Sequence, residues 1–386
     1  MKKNLFFFLA AGMAFASCVS DQTVGEQGVK EPAKLTFSSP LMQSNGSTRA
    51  NFYGEIGDHM YSGSSTIYHY PKEEDFVIYA VQHTGDFAGW ASATPHEING
   101  QTVKYDLNVD GWAPKTTEGG YYYWPAGKMS FAASSPAELE CGATRTYDEK
   151  GVTISNFTVN ANAEKHYDLL YSTRTLNQTA ELMRDAAAYY SGIPIDFKHA
   201  LSSVRFSIKN ESEANVFLKS IKVYGVKYKG TFTENLTESA TDYSQSKQVP
   251  SWDVDDELVA STAPYVGFQG SVQFQQAPYY VAQLAADDTD APDENEKCNQ
   301  LLLMPQTLTD AATVVVTYTV NGSERSKTAL LKNGIDIESN PVTAWQSGIR
   351  YTYRLVYGKA AANQDRIYFA PGAEEWTDHA IVVIEL

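Results

Sequence analysis

The chain has 386 residues, enough for two domains of ordinary size, and 43% of them are hydrophobic, enough for real cores. Its formal charge of −16 argues against a nucleic-acid partner, because phosphate backbones need a basic face. Twenty-five Tyr and 17 Phe favour strands over helices.

The N-terminus reads MKKNLFFFLAAGMAFASC. Lys2 and Lys3 form a positive n-region, and the apolar run from Leu5 to Phe15 is too short to span a bilayer. Residues 1–18 are therefore an export signal. Phe15-Ala16-Ser17-Cys18 resembles a bacterial lipobox, with small residues ahead of a Cys that takes lipid. Phe15 departs from the usual Leu, and an ordinary signal with a chance Cys is the alternative. No later segment is apolar for long enough to cross a membrane.

Residues 19–34 are polar and poor in aromatics, the composition of a tether. KLTFS (34–38) then alternates as a short strand does. Leu35, Phe37 and Leu41 share a parity, so in an unbroken strand they face one side; Pro40 interrupts it. SSPLMQSNGSTRAN (38–51) follows, soft and turn-rich around Arg49. Exposed flexible backbone is where proteases cut; an ordinary linker arginine is the alternative.

The body reads as strands punctuated by Gly, Asn and Asp. DFVIYAVQH (75–83), GVTISNFTV (151–159), LSSVRFSIKN (201–210), FLKSIKVYGVKY (217–228), ATVVVTYTV (312–320) and IRYTYRLVYG (349–358) carry the pattern. The spacing suggests β-sandwiches. QTAELMRDAAAYY (178–190) is the one helix candidate, and SGIPI (191–195) marks a domain boundary. The organisation is a signal and lipobox (1–18), a tether with one strand (19–49), and domains over 50–193 and 194–386. The acidic stretch AADDTDAPDENEK (285–297) has the composition of a surface loop.

Catalytic and metal signatures are missing from the sequence. Seven His give no HExxH and no paired metal spacing, and there is no CxxC, GxSxG elbow, P-loop or dinucleotide fingerprint. No cofactor is implied. Asp253, Asp255 and Asp256 in WDVDDE lack the glycine and terminal glutamate of an EF-hand, so a solvated acidic turn is the better reading. His199 reads as a half-buried structural residue. Cys141 and Cys298 read as small buried apolar residues. Tyr121, Tyr122, Tyr123 and Trp124 have rings that could stack on sugars, but strand-rich cores bury such residues routinely.

Six segments in order carry a family pattern: YYYWPAGKMSFAASSP (121–136), HYDLLYSTRT (166–175), IDFKHALSSVRFSIKN (195–210), IKVYGVKYKGTFT (221–233), LLLMPQTL (301–308) and WQSGIRYTYRLVY (345–357). With the lipobox ahead of them, the chain resembles the fimbrillins, pilin subunits built from cleaved lipoproteins. The resemblance implies an all-β fold of two transthyretin-like sandwiches with one short helix. It implies a structural, non-enzymatic subunit of a cell-surface pilus that supports adhesion. The precursor would be carried to the outer membrane by lipid (palmitate) on Cys18. An arginine-specific protease would cut after Arg49, making Ala50 the new N-terminus and removing the strand of Leu35, Phe37 and Leu41. Other pilin subunits would then join by donor-strand exchange. The implied location is the outer membrane for the precursor and the extracellular pilus for the product.

Burying Leu35, Phe37 and Leu41 would contribute roughly 5–8 kcal/mol before entropy. Severing the tether removes the strand's effective-concentration advantage, and β-augmentation by a neighbour can replace it. The chain ends EEWTDHAIVVIEL, with Val382, Ile384 and Leu386 on one face. That face suits a donated strand or the last strand of the chain's own sandwich. The rival reading is a glycan-binding surface lipoprotein, with host glycan or protein as partner; a hydrolase with dispersed carboxylates has the least support.

Overall fold

Thr313–Val320 reads TVVVTYTV and buries every second residue, the outcome expected where a period-two sequence lays one face on a core. The same logic builds most of the chain. The computed structural model describes residues 33–37, 41–42, 59–62, 65–70, 72–86, 98–109, 111–148, 151–172, 175–180, 192–193, 195–235, 250–260, 262–273, 279–280, 301–334, 341–358, 367–368 and 381–382. All belong to one unit, Ala33–Leu386.

In chain order the strands begin with β1 (Leu41–Met42), β2 (His59–Ser62), β3 (Ser65–His69), β4 (Phe76–His83), β5 (Asn99–Asp106) and β6 (Gly111–Pro114). Then come β7 (Lys128–Ser135), β8 (Thr144–Asp148), β9 (Gly151–Thr158), β10 (Leu170–Ser172), β11 (Thr175–Gln178) and β12 (Asp196–His199). Next are β13 (Ser202–Asn210), β14 (Val216–Tyr224), β15 (Lys229–Thr233), β16 (Ser251–Val254), β17 (Tyr265–Gln273), β18 (Tyr279–Tyr280) and β19 (Leu301–Leu303). The last are β20 (Gln306–Thr307), β21 (Thr313–Val320), β22 (Ser323–Leu330), β23 (Ala344–Trp345), β24 (Arg350–Tyr357), β25 (Ile367–Tyr368) and β26 (Ile381–Val382).

A ten-stranded sheet runs β2-β3-β1-β12-β10-β7-β4-β5-β6, with β11 on β7. It faces a four-stranded sheet, β16-β15-β9-β8. Tyr79 of β4 stacks on Tyr147 of β8 at 4.5 Å, and Tyr171 of β10 meets Phe232 of β15 at 5.4 Å. A second pair packs β18-β13-β24-β25, with β19 and β26 at its margins, against β17-β14-β21-β22. There Tyr357 of β24 meets Tyr318 of β21 at 6.0 Å. Gly267 of β17 leaves room for Phe206 of β13, whose ring a β-carbon would approach to 3.1 Å. The fold is all-β, built of face-to-face sheets.

A line at residue 193 does not follow a gap between sheets. β15 and β16 lie beyond it in sequence, yet β15 pairs with β9, Phe232 opposite Ile154. The helix candidate over 178–190 meets a strand first, since β11 extends through Gln178. Ala180 has helical backbone, and residues 181–191 lie outside the described residues.

Cys141 corrects an expectation. Its thiol is exposed rather than buried. Cys141 and Gly142 have φ of +56° and +75°, and two successive left-handed residues make a tight turn that leaves the side chain on its outer side. Cys298 lies outside the described residues.

Candidate functional site

Residues 33–37 lie in a slot with backbone on both sides. On one side the Leu35 amide donates to Tyr122 O at 2.8 Å, the Trp124 amide to Ala33 O at 2.9 Å, and Phe37 and Trp112 exchange bonds of 2.7 and 3.1 Å. On the other side the Ile193 amide donates to Thr36 O at 2.8 Å. Lys34 pairs antiparallel with Tyr123 and Phe37 with Trp112, while Phe37 pairs parallel with Ile193. The segment thus joins β6, the last strand of the ten-stranded order, to the residues just before β12.

Side chains fix it as firmly as the backbone does. Leu35 and Phe37 are 1% and 0% exposed. The Phe37 ring meets Phe131 and Phe76 edge-on at 5.5 and 6.2 Å, an arrangement that favours aromatic pairs. Burying Leu35 and Phe37 is worth roughly 3–6 kcal/mol before entropy. Gly192, at φ +121°, supplies the close approach on the far wall: a β-carbon there would lie 2.6 Å from Thr36 O.

The segment's entrance is polar. Lys34 Nζ lies 4.3 Å from the centre of the Tyr121 ring, and Lys115 Nζ lies 3.2 Å from it. Asp106 Oδ2 accepts from Tyr121 Oη at 2.8 Å and pairs with Lys115 Nζ at 2.5 Å. The Lys115 ammonium, followed by the Asn108 amide and the Tyr121 hydroxyl, holds the Asp106 carboxyl far below the usual carboxylate range. The aromatic run 121–124 therefore lines the slot and its mouth; Tyr123 is 46% exposed.

Beyond Pro40 the chain enters the sheet itself as β1. Leu41 and Met42 pair parallel with Asp196 and Phe197 of β12 and antiparallel with His69 and Tyr68 of β3. From Phe37 to Leu41 is four residues, whereas their partners Ile193 and Asp196 are three apart. The register gains a residue there, so the shared parity of Leu35, Phe37 and Leu41 is not carried through as an unbroken strand.

Cys18, Arg49 and Ala50 lie outside the described residues, as do Ile384 and Leu386. Val382 falls in β26, which pairs parallel with β24 of the same chain, Val382 opposite Tyr353.

His199 is buried rather than half-buried, 7% exposed, and its Nδ1 lies 2.5 Å from Asp168 Oδ2. β12 pairs with β10, whose Leu170 faces His199, so the burial follows from both strands being interior. His166 was not singled out by the sequence. Its Nε2–H donates to Asn160 O at 2.8 Å, and its Nδ1 accepts from the Leu302 amide at 3.1 Å. The His166-Tyr167-Asp168-Leu169-Leu170 run, in which two polar groups enter an apolar stretch, is the available signal.

Asp255 and Asp256 of the acidic turn face Lys229 and Lys227 at 3.4 and 2.9 Å. Among the described residues, no group of three or more His, Cys, Asp or Glu could hold a metal ion. A cleft of about 880 Å³ is lined by Tyr171, Trp252, Gln306, Thr307, Trp345 and Gln346, among others. The Trp252 ring is fixed by Nε1–H donating to Ala200 O at 2.8 Å.

Comparison with solved structures finds distant likenesses. A crystal structure of a candidate cell adhesion protein from Bacteroides uniformis ATCC 8492 is 11% identical, covering 93% of this chain and 99% of that one with a TM-score of 0.43. A fimbrial protein from Bacteroides ovatus ATCC 8483 is 11% identical, covering 84% of this chain and 48% of that one with a TM-score of 0.32. Likeness at this level carries no functional argument. No curated protein matches the chain. The sequence itself matches the fimbrillin-like family over residues 70–369, from the end of β3 to just past β25. The chain belongs to the fimbrillin-like family.

Proposed function

We propose that the chain is a structural, non-enzymatic subunit of a cell-surface pilus, kept closed as a precursor by its own leader segment. Lipid on Cys18 holds the precursor at the outer membrane. An arginine-specific protease cuts after Arg49, so that Ala50 becomes the N-terminus. The segment carrying Leu35, Phe37 and Leu41 then departs, and a strand from another subunit takes its place. The face Val382, Ile384 and Leu386 is the candidate donor. The division into domains 50–193 and 194–386 belongs to the same reading, with β15 and β16 lent across the line.

One observation carries the reading: Leu35 and Phe37 are buried in a slot that pairs with their backbone on both sides. Removing such a segment exposes apolar surface together with unpaired amides and carbonyls, which is a template for another strand. Family membership supports the pilus assignment. The test is to treat purified precursor with an arginine-specific protease, sequence the new N-terminus, and follow particle size by light scattering. Ala50 at the new terminus with growth of polymers is expected. A product starting elsewhere, or one that stays monomeric, overturns the reading.

The cleft beside Trp252 favours a second reading, a glycan-binding surface protein. Its lining combines aromatic, amide and hydroxyl groups with one ammonium, Lys227, a set that can stack on and hydrogen-bond a sugar. Micromolar glycan binding by the uncut monomer, lost in Trp252→Ala, would favour it.

A further inference from the structure

β1 is an interior strand of the ten-stranded sheet, with β12 on one side and β3 on the other. Those two walls are held very differently. β12 is paired on its far side with β10 through Leu170, Tyr171 and Ser172. Its last residue, His199, is also bonded to the buried Asp168. β3, by contrast, pairs among the described residues with β1 and β2 alone, and β2 ends the strand order. Among the described residues, the β2–β3 hairpin is therefore strand-paired to the rest of the sheet only through Leu41 and Met42.

The hairpin has one firm attachment, at its exit. Tyr70 follows β3 directly and is 1% exposed. Its hydroxyl bonds to Asp75 O at 2.8 Å and Ser135 Oγ at 2.7 Å, and its ring packs on Phe76 and Phe197 at 5.7 and 5.4 Å. An isolated two-stranded hairpin is marginal at best in water. With β1 gone, His59–Ser62 and Ser65–His69 keep, of the described strand pairings, only the one with each other, and the chain rejoins the core at Tyr70.

We propose that the β2–β3 hairpin is a movable wall of the slot, folded only while a strand lies between it and β12. The inference rests on the proposed exchange of the leader segment. It adds that, at the level of Leu41 and Met42, the slot has one fixed wall and one that forms on the occupant. The occupant is a strand of a second copy of this chain running parallel to β12, since that direction alone reproduces the Asp196 and Phe197 pairings of Leu41 and Met42. Departure of the leader frees β2 (His59–Ser62) and β3 (Ser65–His69) from the sheet, and entry of the new strand orders them again. Binding and folding are then coupled, so the entering strand must supply the free energy of ordering the hairpin.

The test uses the full chain and neither protease nor polymer, so its failure leaves cutting at Arg49 standing, and failure of that cut leaves this test readable. Hydrogen exchange is compared between the wild type and Phe37→Glu, which cannot keep residue 37 buried. Amides of 65–69 are expected to lose protection by at least about tenfold together with those of Leu35 and Phe37, while Phe76–His83 stays protected. A synthetic peptide of residues 33–48 added in excess should restore 65–69. Should Phe37→Glu unfold the whole chain, Met42→Pro, which removes a β1 donor, gives the same comparison. Protection of 65–69 that persists after the leader amides have lost theirs, or that is missing in the wild type, overturns the proposal.

Discussion

Thr36 and Gly192 meet backbone against backbone: the Ile193 amide donates to Thr36 O at 2.8 Å, and a β-carbon on Gly192 would sit 2.6 Å from that oxygen. The far wall of the slot is thus shaped by a missing side chain. Gly192→Ala should destabilise the chain by roughly 1–3 kcal/mol. Part of that cost is the φ of +121°, which persists whether or not the leader is docked. The rest is the clash with Thr36. Urea unfolding of Gly192→Ala, alone and on a Phe37→Glu background, separates the two. A smaller loss on the second background is expected; equal losses would show that Thr36 is not in contact.

Phe37 sits at the centre of a ring cluster with Phe76 and Phe131. Phe37→Ala should cost roughly 3–5 kcal/mol, the range for truncating a buried phenylalanine. Lys34, exposed beside Tyr121, should cost under about 1 kcal/mol when changed to Ala. Denaturant midpoints of the two variants measure the contrast. Comparable losses would mean that the leader is held at its polar mouth rather than by its apolar side chains.

The strands were legible because their periodicity is local. TVVVTYTV and SSVRFSIKN need only alternate to declare a buried face, and both strands lie within a residue of the expected bounds. Leu35 and Phe37 were legible for the same reason. The pairing of β15 with β9 was not, since Phe232 and Ile154 are far apart in sequence and nothing in either segment names the other. Nothing in SGIPI names Thr36, against which Gly192 lies. The wall that β3 makes with β1 was likewise invisible, because a ladder through Leu41 and His69 is fixed by the fold. Cys141 was misread from composition, which carries no information about a left-handed turn.

Asp168 and His199 form a buried pair that ties the approach to β10 to the end of β12, the fixed wall. Asp168 is 0% exposed and its Oδ1 has no hydrogen-bond partner, so the carboxyl depends on His199. Removing His199 leaves the buried Asp168 carboxyl without the bond it depends on, and removing Asp168 takes that bond from the buried imidazole. Asp168→Ala and His199→Ala should each cost roughly 3–5 kcal/mol. The double variant should cost less than their sum by roughly 0.5–3 kcal/mol. A thermodynamic cycle from chemical unfolding checks this, and strict additivity would remove the pair as the link.

His166 joins the turn at Asn160, just after β9, to β19 by donating through Nε2 and accepting through Nδ1. That arrangement needs the neutral ring, because a proton on Nδ1 would face the Leu302 amide hydrogen. Burial pushes its pKa down to about 4 from an ordinary 6.5, opposed by the bond to Asn160 O. Between those values the unfolded chain holds a proton that the folded chain does not, so stability falls as pH drops through the window. The full loss is roughly 3 kcal/mol, reached near pH 4 and absent above about pH 6.5. Carboxylates also titrate there, so the comparison is with His166→Gln, whose amide can donate to Asn160 and accept from Leu302 without titrating. Stability measured by denaturant at several pH values should fall less steeply in the variant between pH 4 and 6.5, by about one proton. Parallel curves for the two proteins would mean that His166 takes up its proton in the folded state at an ordinary pH.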